Sequence, residues 1–333
     1  MSVVREAWTM LDAEARTEPG WHLRRIFPSA AFDIFAGIHQ PEATRGLILE
    51  APVTTFPAFR LLPRSPGFMV EATPPGQSLT ARGRIVLSLA DPAYSEVFPV
   101  LCQDVAEISA RELDAAAAMS AFLSRLHVWQ SFMARFSPEG LSRDQVTGLM
   151  GELLMLGDYL APAVGYSQAI EAWDGPLGEA NDFSLDQRFL EVKTTTRQAP
   201  SVISIANADQ LDTTRGQIYL AHLKLQKSAR GATLPELVEA LKNRLLEYSP
   251  EQISAFTTKL LLAGYIDAHR SNYTDRLALA DLAVFSVGSG FPNIARTDLR
   301  LGVRDCSYTI ELSACQPFAV TVANLFVTRA TDA

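Results

Sequence analysis

The segment from Asn181 to Lys193 constrains this chain more than any other: two short runs meet at Asp186-Gln187, a pair suited to a two-residue turn, so the segment reads as a β-hairpin. That register sets Asp182 directly across from Glu191. Alternate side chains of a strand share one face, so Glu191 and Lys193 point together while Val192 turns back into a core. Two acids and an amine are therefore expected to converge.

A third acid is expected to arrive from the preceding helix. Ser142 and Gln145 have the spacing of a capping box, which satisfies two otherwise unpaired N–H groups at a first helical turn. Val146, Leu149, Leu153, Leu156 and Leu160 continue from it as one apolar stripe. At about 100° per residue, Glu152 falls on the flank of that stripe, where an acid can reach inward.

These residue types suit phosphodiester hydrolysis, which needs a cation to hold the phosphate, a polarised water, and positive charge where the transition state gathers negative charge. Mg²⁺ takes oxygen ligands in an octahedral shell and keeps several waters, so two carboxylates and a backbone carbonyl suffice. Asp182, Glu191 and the carbonyl of Val192 are the candidate ligands, with Mn²⁺ as a substitute ion and Glu152 as holder of a metal-linked water or a second ion. Lys193 can orient or help deprotonate the attacking water. The plainer use of such residues is a cross-strand acid pair on a solvated sheet face with lysine as counter-ion. The hairpin register, the helix acid and the apolar strand that follows weigh against it.

The rest of the chain is expected to build around this centre. From about Ala30 to Ala106, short runs broken by Pro and Gly (Phe32–Phe35, Gly46–Leu49, Gly67–Glu71, Ile85–Leu89) suggest a small antiparallel β domain. Ala110 to Phe136 has helical periodicity through Phe122, Leu126, Trp129 and Phe132, and reads as a bridge between domains. After the hairpin, strands are expected at Ser201–Ile205, Gly216–Leu225, Leu282–Val287, Leu301–Arg304 and Tyr308–Leu312, with helices near Leu234–Tyr248, where Pro235 suits a first turn, and Pro250–Ala263. The expected division is a β-rich domain at 1–108, a catalytic core at 109–230 and an α+β extension at 231–333. The fold class is α/β.

The chain has 333 residues, 48% hydrophobic and 20% charged, with a net charge of −8. That charge argues against a protein that coats nucleic acid by bulk attraction, since backbone binding rests on Lys and Arg neutralising phosphates; a local groove remains open. His222, Lys224 and Gln226 alternate along one strand, followed by Lys227 and Arg230, and with Thr194–Thr196 and Arg197 they are candidates for phosphate contacts. Cys102, Cys306 and Cys315 lack zinc-ligand or disulfide-framework spacing and read as buried thiols. No long apolar run and no leader pattern is found, so a cytoplasmic protein without membrane contact is expected.

Gly148-Leu-Met-Gly-Glu152, Trp173-Asp-Gly-Pro176, Asn181-Asp-Phe183, Leu190-Glu-Val-Lys193 and Asp209-Gln-Leu-Asp212, in that order, resemble the PD-(D/E)xK nuclease superfamily, and in particular a bacterial family defined by that motif. The similarity runs nearly end to end, through Leu126–Trp129, Phe291–Ile294 and Tyr308–Ile310. The resemblance implies a restriction-endonuclease-like mixed sheet flanked by helices. It puts Asp182, Glu191 and Lys193 at the metal-binding and catalytic positions, Glu152 at that of the first-helix acid, and Gln210 at that of an accessory glutamine. It also implies kinship with restriction and anti-phage systems, whose nucleases work beside ATPases, helicases or methyltransferases. Asn181 stands where the motif has proline. The expected function is Mg²⁺-dependent endonucleolytic cleavage of DNA, with a homodimer favoured for a double-strand cut. The alternative is a catalytically silent scaffold that binds DNA or a partner.

Overall fold

Gly20–Ile26, Asp33–Gln40, Thr44–Pro52, Phe68–Thr73 and Arg82–Leu89 form an antiparallel sheet, β1 to β5, in the order β1-β2-β3-β5-β4. The computed structural model describes residues 2–14, 17–56, 62–73, 82–199 and 201–326, and the chain divides into two compact units, 1–139 and 140–333. The sheet belongs to the first unit, with helices α1 (Val3–Ala13), α2 (Phe98–Ala110) and α3 (Ala115–Arg135). Trp8 of α1 stacks on Phe98 of α2 at 6.0 Å, and Asp104 of α2 accepts hydrogen bonds from Trp129 and Arg125 of α3.

The second unit carries the motif residues. Helix α4 (Arg143–Leu154) starts with both halves of the Ser142–Gln145 capping box. It runs through a π-helical turn at Met155–Leu160 into the short α5 (Ala161–Val164), and α6 (Tyr166–Ala172) follows. Leu149, Leu153, Leu156 and Leu160 of the stripe are buried. The sheet comprises β6 (Phe183–Leu185), β7 (Arg188–Thr195), β9 (Gln217–Ala232), β10 (Leu277–Val287) and β12 (Ala319–Val320), ordered β12-β10-β9-β7-β6. Two further strands, β8 (Val202–Ile205) and β11 (Tyr308–Glu311), pair with each other apart from it. Helices α7 (Leu234–Tyr248), α8 (Ile253–Leu262) and α9 (Leu312–Cys315) complete the unit.

The hairpin has the expected register, with Phe183 opposite Leu190 and Leu185 opposite Arg188. Asp186 takes the left-handed backbone conformation of a tight turn, φ 55°. β7 and β9 are parallel, with Lys193 beside His222. A parallel pair needs a crossover. Here residues 196–216 provide it, and they carry β8 and a 3₁₀ turn at Ala208–Leu211. Ile203, Ile205 and Leu211 from this crossover pack with Ile218, Leu220 and Phe285 in one apolar cluster. The crossover therefore folds back over one face of the sheet.

The mixed α/β class agrees with the expectation, and several details differ. The chain divides after Glu139, so α3 lies inside the first unit, and residues 231–333 share one compact unit with the site. Phe98–Ala110 is helical, and its Pro99 sits in the first turn where proline is favoured. Ser201–Ile205 supplies a strand, but outside the main sheet. Leu301–Arg304 forms none; it is exposed, and Gly302 has φ 92°. All three cysteines are free, Cys102 and Cys315 buried and Cys306 half-buried. Among the described residues no helix is long and apolar enough to cross a membrane.

Candidate active site

Helix α4 and strand β7 approach closely because Gly151 has no side chain: a Cβ there would lie 1.8 Å from the Thr194 hydroxyl oxygen. Gly148, one turn earlier, faces open space. Gly151→Ala is therefore expected to cost about 1–3 kcal/mol by overpacking, whereas Gly148→Ala should be neutral or stabilising by up to about 1 kcal/mol. Thermal melts of the two variants check this, and equal melting temperatures would contradict the close helix–strand contact.

That contact brings Glu152 to the end of the hairpin. Its Oε2 accepts a 2.8 Å hydrogen bond from Trp173 Nε1. Trp173 begins a turn that also holds Asp182, since the N–H groups of Asp174 and Gly175 donate to the Asp182 carbonyl at 2.8 and 3.0 Å. The turn is pinned from α8, where Lys259 Nζ donates to the carbonyls of Ile170, Glu171 and Trp173 at 2.6 to 3.0 Å. The family resemblance included Trp173-Asp-Gly-Pro176 without a role for it; Lys259 carried no local signal, because it acts from a separate helix.

Asp182 lies one residue before β6 begins. Its Oδ2 accepts the Val192 N–H at 2.7 Å, replacing the partner strand that ends at Phe183. The N–H and C=O of one strand residue point to the same edge. The Val192 carbonyl thus faces the Asp182 edge too. Glu191, 2% exposed, gives Oε1 to Lys193 Nζ at 2.7 Å, while its Oε2 is buried without a hydrogen-bond partner among the described residues. The four side chains expected to converge, Glu152, Asp182, Glu191 and Lys193, are brought together.

Gln210 joins them through the crossover. Its Oε1 accepts from Lys193 Nζ at 3.2 Å and from the Ala206 N–H at 2.9 Å. Asn181, buried where the motif has proline, donates from Nδ2 to the Gln210 carbonyl at 2.7 Å. Asn293 holds the Leu211 carbonyl at 2.8 Å, and Arg296 pairs with Asp209. Asn181, Asn293 and Arg296 together fix the loop that presents the glutamine. Asp186 lies elsewhere, exposed at the hairpin turn and 3.7 Å from Arg188.

Crowding the acids shapes their electrostatics. Burial, reinforced by the Asp182 charge, pushes the Glu191 carboxyl up to about 8 despite Lys193. Burial raises Asp182 to about 6, opposed by its bond to Val192 N–H and by Lys193. Glu152 is raised well above the usual carboxylate range, first by burial and then by Asp182. Burial also lowers the His222 imidazole. Of the other candidate phosphate contacts, Lys224 is half-buried, Gln226 and Arg230 are exposed, and Lys227 is held by Asp275 at 2.7 Å.

The donor set fits a hard divalent ion. Glu191 Oε2 is an orphaned buried acceptor, and a Cβ on Gly175 would sit 2.8 Å from Asp182 Oδ1 and 3.0 Å from Glu152 Oε2. Glycine thus leaves open a space between two carboxylates. Among the described residues no three His, Cys, Asp or Glu side chains form a ligand group by themselves. Two carboxylates and the Val192 carbonyl are the protein ligands available, with Glu152 placed to act through water.

No curated protein and no solved structure matches the chain. One family model covers residues 4–313, nearly the whole sequence, and its description reads "Putative PD-(D/E)XK family member, (DUF4420)". The chain belongs to that PD-(D/E)xK family.

Proposed function

We propose that this protein is a Mg²⁺-dependent endonuclease that hydrolyses phosphodiester bonds in DNA. The observation that carries the reading is the buried meeting of Asp182 and Glu191 beside an amine, with one Glu191 oxygen left without a partner. Asp182, Glu191 and the Val192 carbonyl would hold the ion. A bound Mg²⁺, or Mn²⁺ in its place, supplies charge that polarises a phosphate oxygen and a water.

The chain's own residues then do the rest. Lys193 is oriented by Glu191 Oε1 and Gln210 Oε1, and its remaining N–H can aim at the attacking water or at charge developing on the phosphate. Glu152, steadied by Trp173, can accept from a water at the acid cluster. Purified protein should cut plasmid DNA in Mg²⁺ or Mn²⁺ and leave it intact in chelator. No cutting with either ion, alone or with partner proteins, would overturn the reading.

Gly175→Ala offers a test independent of turnover. The added methyl enters the space between Asp182 and Glu152, so Mn²⁺ affinity measured by calorimetry should fall about tenfold or more, the range expected when the surroundings of a metal site are disturbed. Unchanged affinity would place the ion elsewhere.

The net charge of −8 favours a second reading, a silent scaffold that binds DNA or a partner. It predicts no Mn²⁺ binding that depends on Asp182 and Glu191. Kinship with restriction-like proteins supports work in an anti-phage complex beside an ATPase, helicase or methyltransferase. A double-strand cut by a chain with one such site would favour a homodimer, one protomer to each strand.

A further inference from the structure

A cleft of about 300 Å³ opens beside Lys193 and runs along the end of β7. Its walls come from four elements. β7 and the residues after it give Thr194, Thr195, Thr196 and Arg197; β8 gives Val202 to Ser204; β9 gives His222, the register neighbour of Lys193; and α4 gives Thr147 and Asp144. Thr195 and Lys193 share a strand face, so the catalytic amine and the cleft are continuous.

The wall is hydroxyl-rich and nearly balanced in charge. Thr195 accepts the Arg197 N–H at 3.2 Å, which leaves its own proton for a ligand. Arg197 is exposed and has five N–H donors. Lys193 and Arg197 are the cations of the lining and Asp144 opposes them. Most protein–DNA hydrogen bonds go to phosphates and sugars, and Thr, Ser and Arg are among their usual donors. The volume is at the bottom of the range of ligand sites, which suits a single nucleotide and excludes a duplex.

We propose that this cleft seats one strand of the substrate next to the scissile phosphate, holding its sugar–phosphate backbone through Thr195, Thr196 and Arg197 with His222 beneath. The inference rests on the nuclease reading and goes beyond it by naming the unit bound and the means. A grip of hydroxyls and about two cations releases few counterions. Affinity for a single strand should then fall with salt with a log–log slope of roughly −1.4, where six to ten phosphate contacts would give about −4 to −7.

The test uses the full chain carrying Asp182→Asn, to suppress cutting, and a fluorescent oligothymidylate in fixed Mg²⁺, read by anisotropy across a salt series. Arg197→Ala in that background should weaken binding about tenfold and flatten the slope by about 0.7. Thr195→Val should weaken it several-fold at an unchanged slope, and Arg300→Ala, exposed and outside the cleft lining, should change neither. The proposal is overturned if the parent shows no binding, if its slope is as steep as −4, or if Arg197→Ala and Thr195→Val bind like the parent. The two readings fail separately. A wild-type chain that cuts while the cleft variants bind normally leaves the nuclease and removes the cleft. Binding that follows the cleft in a chain that never cuts leaves the cleft and removes the nuclease.

Discussion

Lys193→Ala and Asp182→Asn should each reduce DNA cutting by about 10²–10³-fold in a chain that still melts cooperatively. Removing a single preorganised group that faces developing charge commonly costs 10²–10³ in rate, and Lys193 is held for that role by two acceptors, Glu191 Oε1 and Gln210 Oε1. Its side chain is 22% exposed and is not in the apolar core. Asparagine at 182 keeps an oxygen for the Val192 N–H, so the hairpin end should survive while the ligand charge is lost. Supercoiled-plasmid cleavage in Mg²⁺ and in Mn²⁺, beside thermal melts, reads both quantities. Cutting at the wild-type rate in either variant would remove that residue from the chemistry.

The second large effect concerns stability and pH. Glu191 titrates at about 8 and Asp182 at about 6 in the folded chain, both above their ordinary values of 4.5 and 3.8. The folded state therefore binds these protons more tightly than the unfolded state does. Their contribution to stability is complete below about pH 4 and is lost as pH rises through 6 to 8. In chelator, the melting temperature should fall between pH 5 and pH 8.5, and added Mg²⁺ should restore more of it at the alkaline end.

Glu191→Gln should remove most of that loss. The amide keeps an oxygen for Lys193 and gains N–H donors beside Asn181, whose Oδ1 has no partner among the described residues. One pH unit of displacement is worth about 1.4 kcal/mol. A gain on the order of 2 kcal/mol corresponds to roughly 5 °C for a unit of this size. The variant should thus melt higher than wild type at pH 8.5 in chelator and be inert as a nuclease. A variant melting at or below wild type there would show that the buried charge carries no such cost.

Much of the site was legible because its geometry is local. The hairpin register follows from a two-residue turn, and the β7 alternation places Glu191 and Lys193 together. The α4 capping box and apolar stripe likewise fix Glu152 by helical period. What sequence reasoning missed depends on distant partners. Val202–Ile205 has strand composition, but its partner is Tyr308–Glu311, so nothing local reveals that it leaves the main sheet. Lys259 acts on Trp173 from another helix, and Asn181 works by holding the Gln210 carbonyl. The Asn181 departure from proline is physically intelligible only once that bond is seen. Most of Phe98–Ala110 fell inside the stretch read as a β domain because its apolar residues are dense enough to hide their period, although Pro99 suits a helical first turn.

Anomalous diffraction from a crystal soaked in Mn²⁺ tests the central claim most directly. The account predicts a single strong peak, or the stronger of two, bounded by Asp182, Glu191 and the Val192 carbonyl, and no peak there in Asp182→Ala. A fully soaked wild-type crystal with no density between those groups, or with manganese bound only at surface carboxylates elsewhere, would contradict it.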